Sequence, residues 1–375
     1  MLMSSPSERR AFALFALVIA CIAIAPIWST RFLPVLDEPN HLSAIAIWHG
    51  LWIRDPWIES FYSLRVAPGS YFAHYGLAVA LAKVVGVEAA HKVALSLYVL
   101  AIPGAAILWC DRTQRSRWLA VLTVPLAFST NWAHGYHPFN AGMAALFLGV
   151  VAFDRLLTTP SPAAFVWAAA AGVACYFGHP LLLVLLYVAA SILVVIHRAR
   201  PGVVLSAFAA LLPSLSLLVW QSRATRVTAG ATDSVLGSEF PVVDAAVWWA
   251  RIRDFADHAV NPLAGEWDSL LLVALVALSG ALYAAGIVGG TSGGGLKKAL
   301  VAHRSLVLAL AFTALYLVLP EHFNQPVYMW IARGRLAPAI AFFVLLAPPV
   351  GAASGLRFAA AAAALLVVAL PIELS

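Results

Sequence analysis

Charge is scarce in this chain. Asp, Glu, Lys and Arg together make up 11% of its 375 residues, against about 25% in an ordinary soluble domain. Hydrophobic residues make up 62%, and the mean hydropathy is +0.89. This balance excludes a soluble globular fold and predicts an all-α, polytopic integral membrane protein. Cysteine is rarer still. Cys21, Cys110 and Cys175 lie in or beside apolar runs with no CxxC spacing, which excludes a disulfide framework or a zinc knuckle and makes them core residues. A basic stripe with interleaved aromatics is also missing, although the net charge is +6 and the pI about 9.4. The arginines gather instead in short clusters between apolar runs, as the positive-inside bias arranges them, so no nucleic acid is expected as a partner. No solenoid or inverted repeat and no soluble module interrupts the chain, and residues 1–375 read as one membrane domain.

What the chain has in abundance is apolar runs of the length that crosses about 30 Å of hydrocarbon. The first, from Ala11 to Trp28, imitates a signal peptide: Arg9 and Arg10 precede it and “AIA” stands at Ala23 to Ala25. “VIAC” at Val18 to Cys21 resembles a lipoprotein box. Pro26 would follow the cut, which disfavours cleavage, and the run reads as a retained first span. About 11 spans are predicted, at 11–28, 90–109, 118–133, 138–157, 162–178, 180–197, 203–220, 269–289, 303–319, 335–350 and 356–372.

The apolar stretch 71–86 is treated differently. If it crossed, alternation from a cytoplasmic “SERR” would put the arginine-rich “DRTQRSR” (Asp111 to Arg117) outside, against the charge bias. Read as a short helix on the outer face, it leaves “DRTQRSR”, “HRAR” (His197 to Arg200) and “KKALVAHR” (Lys297 to Arg304) all cytoplasmic. The outer side then carries region 29–89, with the polar loop Ser29 to Pro68, a second loop 221–268 and a third at 320–334. “GGTSGGG” at Gly289 to Gly295 reads as a flexible linker.

One outer segment carries the chemistry. In “FLPVLDEPNHLSAIAIWHG”, Asp37 and Glu38 stand between Pro34 and Pro39, with His41 one turn on. Pro39 suits the first position of a helix, and Leu42, Ile45, Trp48 and Trp52 follow at helical spacing, a face suited to the membrane surface. Glu38 would cap that helix, and helix-end amides keep carboxylates ionised, so one acid is a competent base or metal ligand. The plainer reading makes Glu38 an N-cap and Asp37 a solvated loop acid.

“VLDEPNHL” after a first span resembles the Asp-Glu or Asp-Asp motif in the first outer loop of the GT-C superfamily of membrane glycosyltransferases. That group includes protein O-mannosyltransferases, the aminoarabinose transferase of lipid A and the rhizobial galacturonosyltransferases. “PGSYFAHYGLAVALAKVVGVEAAHKVALSLYVLAIPGAAILWCDR” is similar to the family’s proline-aromatic start, short helix, “fGv” break and basic-ended span, and “RGRLAPAIAFFVLL” from Arg333 is similar to the opening of a late span. The resemblance implies GT-C architecture with outer-face juxtamembrane helices, in the cytoplasmic (inner) membrane, with the active site on the extracytoplasmic face. It implies inverting transfer of a sugar from a polyprenyl-phosphate donor to a lipid, glycan or protein acceptor. Asp37 would be the base, and Glu38 would position it or help to hold a divalent ion, Mg or Mn, for which Asp37, Glu38 and His41 are the candidate ligands.

Departure of a lipid phosphate calls for cations on the outer side, and arginine suits phosphate through its planar fork. Arg31, Arg54, Arg65, Arg251, Arg253, Arg333 and Arg335 qualify, each with interfacial anchoring as its alternative role. His41, Arg65, Arg333 and Arg335 are taken as substrate-binding. The aminoarabinose transferases place a lysine before two prolines at the short helix; here “RVAPGSY” offers only Arg65, displaced by a couple of positions. Outer histidines are frequent (His41, His74, His134, His137, His179, His258, His322), and His134 with His137, or Glu321 beside His322, form pairs that suit a metal, although no HExxH spacing appears and ordinary hydrogen bonding is the simpler account. “FGHP” at Phe177 to Pro180 marks an outer turn. Two rival functions remain: a transporter or flippase of a lipid-linked saccharide, against which no span carries a charge near its middle, and a non-catalytic lipid-binding member of the family.

Overall fold

The computed structural model of the protein describes residues 6–64, 69–228, 245–260, 267–288, 296–320 and 332–349. Among these residues the regular structure is entirely helical. Helix α1 (Pro6–Ser29) leads to α2 (Glu38–Trp52), α3 (Pro56–Phe61) and α4 (Phe72–Val85), and α5 (Val87–Thr113) begins directly after Gly86. A 3₁₀ helix (Arg117–Phe128) and the short α6 (Thr130–Ala133) precede α7 (His137–Thr158), α8 (Pro162–Gly178), α9 (Pro180–His197) and α10 (Pro201–Thr228). Then come α11 (Ala245–Arg253), α12 (Phe255–Ala259), α13 (Trp267–Val288), α14 (Leu296–Ala302), α15 (Arg304–Val318) and, after one 3₁₀ turn at Gly334–Leu336, α16 (Ala337–Leu345).

Several starts use one local device, a capping side chain followed by proline. Asp55 accepts from the amides of Trp57 and Ile58 ahead of α3, Ser161 from Ala164 ahead of α8, and His179 from Leu181 ahead of α9, with proline in each first turn. The cap satisfies an orphan amide and the proline has none to leave bare. Gln114 and Arg198 end α5 and α9 in the left-handed conformation, with φ of 57° and 49°.

Among the described residues, five helical stretches are long and apolar enough to cross a membrane: α1, α5, α7, α9 and Pro201–Arg223 of α10. Two of them turn large apolar side chains outward. Leu14 and Leu17 of α1 are 66% and 61% exposed, and Leu205, Phe208 and Leu212 of α10 are 70%, 58% and 56% exposed. Water does not tolerate such stripes; hydrocarbon does. The chain is built to be embedded in a membrane.

The segment expected as a span at 118–133 is not an ordinary α-helix. It winds as the 3₁₀ helix Arg117–Phe128, with Trp118 to Phe128 all buried, followed by α6. Pro125 lacks the amide a regular α-turn would use. At about 2.0 Å per residue rather than 1.5 Å, the tighter winding carries the 12 residues over about 24 Å, so a short enclosed segment reaches further. The window 303–319 is broken at His303 between α14 and α15, and 335–350 opens with a 3₁₀ turn. The window 356–372 lies outside the described residues.

Contacts sort the helix ends into two groups. At one end Asp154 of α7 is fully buried among cations: Arg112 Nε donates to its Oδ2 at 3.2 Å, His197 Nε2 meets Oδ1 at 2.9 Å, and Arg304 Nε lies 3.0 Å from Oδ1 without hydrogen-bond alignment. Arg115 donates to the carbonyl of Ala302 at 2.6 Å. The three basic loops, far apart in sequence, therefore meet at one end of the bundle. At the other end α2 lies against the starts of α5 and α7 through Glu38, and Tyr71 reaches His179 between α8 and α9. Helix α4 begins beside Tyr71 and ends one residue before α5, so both its ends lie at this same end and it does not run the length of the bundle. Helices α7 and α8 touch backbone to backbone here: a Cβ added to Gly178 would lie 2.4 Å from Gly142 Cα, the small-residue packing that lets membrane helices approach closely.

Candidate functional site

The acidic motif starts α2, but not as its spacing predicts. The helix begins at Glu38 with Pro39 in its first turn, and Asp37 occupies the cap position without a cap hydrogen bond from its side chain. Glu38 does not cap the helix. Its side chain is 4% exposed and turns inward, where Oε2 accepts from His91 Nε2 at 3.0 Å and from His137 Nε2 at 3.1 Å. Burial pushes the Glu38 pKa up, but the two imidazole hydrogen bonds and their charges outweigh it and hold the group at about 2, so Glu38 is ionised.

His41 is fully engaged. Its Nε2 lies 2.5 Å from the carbonyl of Gly135, which can only accept, so Nε2 carries the proton and Nδ1 accepts from Tyr75 Oη at 2.8 Å. Burial pushes His41 below the ordinary imidazole range, and burial with Asp37 nearby pushes the Tyr75 phenol up to about 12. Both are neutral and locked. Of the face read along α2, Ile45 is fully buried, Trp48 packs on Phe72 with ring centroids 5.1 Å apart, and half-exposed Trp52 has Lys83 over its ring at 3.6 Å.

Asp37, by contrast, is partly exposed. The loop after α6 holds it in place: Leu36 N–H donates to Ala133 O at 3.2 Å, and Gly135, at φ +75°, comes so close that a Cβ there would stand 2.9 Å from the Asp37 nitrogen. Arg335 lies within electrostatic reach of Asp37 and Tyr71. Its guanidinium stacks 3.9 Å over the Tyr136 ring and 5.4 Å from that of Phe139. A partly open carboxylate, an arginine and the tyrosines Tyr71, Tyr75 and Tyr136 thus share one end of the bundle.

Other expected residues go elsewhere. Arg333 is buried, 3.8 Å from Asp254 and over the Tyr316 ring at 5.5 Å. Arg251 donates to the carbonyls of Leu317 and Leu319 at the end of α15, a structural role. Arg31 pairs with Glu88, Arg54 with Glu59 and Arg253 with Asp254. His134 bonds back to Thr130 O, His258 lies 3.3 Å from Tyr316 Oη, and His179 caps α9 at the turn expected there. Arg65, Glu321 and His322 lie outside the described residues.

Asp37, Glu38 and His41 do not converge on a metal. Asp37 and Glu38 point apart and both ring nitrogens of His41 are used. The group of potential ligands that does come together is Glu38, His91 and His137, all buried and with ligand atoms within 4.8 Å of one another. One oxygen and two nitrogen donors do not fit Mg, which takes oxygen ligands. His91 went unremarked in the sequence because it opens an apolar span; the available signal was that His74, His91 and His137 all fall in the first turns of helices at this end. Compared with known protein families, characterised proteins and solved structures, the chain finds no match.

Proposed function

We propose that the protein is an integral membrane glycosyltransferase of GT-C type, transferring a sugar from a polyprenyl-phosphate donor to a lipid, glycan or protein acceptor on the extracytoplasmic face of the cytoplasmic membrane. The observation that carries this reading is that partly open Asp37, at the start of the short helix α2, lies within electrostatic reach of Arg335 from almost 300 residues away in the chain. Transfer with inversion needs a base for the acceptor hydroxyl and positive charge at the leaving phosphate, and these two groups supply them.

In the reaction the acceptor oxygen attacks the anomeric carbon as its proton passes to an Asp37 carboxylate oxygen. The bond from that carbon to the phosphate oxygen breaks, and the electron pair leaves with the lipid phosphate. Arg335, its plane fixed by Tyr136 and with N–H groups directed in a fork, favours the charge that develops there. Glu38 acts as a positioning residue: anchored to His91 and His137, it sets where α2 starts and so where Asp37 stands.

Purified protein in lipid nanodiscs, offered polyprenyl-phosphate sugars and an acceptor extract, should form a glycosylated product. Asp37→Asn should fold and bind donor normally but lose about 10²–10⁴-fold in rate. A transporter would move the donor across a bilayer with no new glycosidic bond. Near-native transfer by Asp37→Asn would remove Asp37 as the base.

A further inference from the structure

The histidines beneath α2 form more than a support for one carboxylate. Glu38, His91 and His137 come from α2, α5 and α7, are 4%, 1% and 0% exposed, and bring their ligand atoms within 4.8 Å of one another. Hydrogen bonding alone accounts for them badly. Two imidazoles donate to the same oxygen, Glu38 Oε2, and Nε2 of the neighbouring His74 is buried with no hydrogen-bond partner among the described residues. His74 is itself fully buried, with its ring 5.2 Å from that of His91 and 5.5 Å from that of His137.

The spacing suits a cation. Around tetrahedral zinc, with bonds of about 2.0–2.1 Å, neighbouring ligand atoms stand about 3.3 Å apart. Here the two Nε2 atoms lie 3.0 and 3.1 Å from Oε2, so on those two sides an ion needs the ligands to open by only about 0.3 Å, and all three ligand atoms stand within 4.8 Å of one another. Two imidazole nitrogens with one carboxylate select a borderline ion of the zinc class over magnesium or calcium.

We infer that Glu38, His91 and His137 form a buried site for a divalent transition ion of the zinc class, with His74 packed beside it. The site holds α2 to α5 and α7 from beneath the acidic motif. It takes different ligands from the Asp37, Glu38 and His41 set, and it does not depend on sugar transfer being the reaction.

The test uses the full-length protein, purified, stripped with a chelator and dialysed. Zn²⁺ is then supplied with excess Mg²⁺ as competitor, bound metal is measured by mass spectrometry, and the apparent unfolding midpoint is followed. The expected result is about one Zn²⁺ retained per chain and a midpoint raised by several degrees, since a ligand that binds only the folded state stabilises it. Retention should be lost in His91→Gln and in His137→Gln and kept in His134→Ala. Should the glutamine variants fail to fold, Co²⁺ loaded into the unaltered protein decides: the intense visible absorption of a four-coordinate, nitrogen-ligated ion supports the site. The weak spectrum of an oxygen-ligated ion, no retained metal, or equal retention by His91→Gln and His137→Gln overturns it. These readouts involve no glycosyl transfer, so this inference and the proposed function fail separately.

Discussion

Gly135→Ala probes the contact that positions Asp37, and its cost divides into two parts. Gly135 has φ +75°, where an alanine costs about 1 kcal/mol for its backbone conformation alone. Its added Cβ would also stand 2.9 Å from the nitrogen, 3.1 Å from the Cβ and 3.2 Å from the Cα of Asp37. Backbone atoms cannot swing aside, so the loop must move, at about 1–3 kcal/mol by analogy with overpacked interiors. Gly86 has φ +80° and ψ 165°, a region only glycine adopts freely, and nothing within 4 Å of its notional Cβ, so Gly86→Ala carries a conformational cost alone, at a backbone geometry of its own. Gly135→Ala should therefore lose about 2–4 kcal/mol and Gly86→Ala about 1–3 kcal/mol, each read as an apparent unfolding midpoint against the unaltered protein in the same detergent. The shift also disturbs the carbonyl that accepts from His41 and moves Asp37, so transfer should fall by an order of magnitude or more in Gly135→Ala alone. An unchanged midpoint in Gly135→Ala would refute the close-approach reasoning, and a normal rate in Gly135→Ala would refute the claim that this loop positions the carboxylate.

Three further outcomes are expected. Asp154→Asn leaves Arg112, His197 and Arg304 crowded together without their shared carboxylate, and should destabilise by about 3–5 kcal/mol, measured as the apparent midpoint; an unchanged midpoint would show the cluster to be solvated. Arg335→Ala should weaken donor binding by tens of fold, about 2 kcal/mol, whereas Arg335→Lys should recover part of it, since charge survives but the stack on Tyr136 does not; full affinity in the alanine variant would make Arg335 an anchor. Gln114 is exposed at the basic end of the bundle, so Gln114→Cys should react with an impermeant thiol reagent only from the cytoplasmic side, and labelling from outside would invert the topology.

What could be read from the sequence is what depends on neighbours along the chain. Hydropathy over about 20 residues locates membrane-length segments because the bilayer fixes that length, and α1, α5, α7, α9 and most of α10 fall where the windows put them. The charge bias put three basic loops on one side, and Arg112, Arg115, His197 and Arg304 of those loops do lie at one end of the bundle. The tight winding of Arg117–Phe128 was not legible, because a composition of Ala, Val, Leu and Thr with one proline is equally that of an ordinary buried helix. Burial does not distinguish them either, since α16 is enclosed along nearly its whole length and is an ordinary α-helix.

The acidic motif shows the same limit at the scale of single atoms. Asp37 and Glu38 are adjacent and chemically alike, and nothing local says which turns inward. The choice belongs to His91 and His137, 53 and 99 residues further on. Each of those histidines opens an apolar helix, where alone it reads as an interfacial residue making ordinary hydrogen bonds. Depth is the signal that joins them. His74, His91 and His137 are the third, fifth and first residues of α4, α5 and α7, and Glu38 is the first of α2, so if all four helices start at one membrane surface, their polar side chains must lie in one thin layer. Counting polar residues by distance from the outer end of each helix would have grouped them, where counting along the chain separates them. The same layer leaves Asp37, one residue before α2, partly exposed and within electrostatic reach of Arg335, so two neighbouring carboxylates have different surroundings: Glu38 anchors the helix from within, and Asp37 stays on the open side.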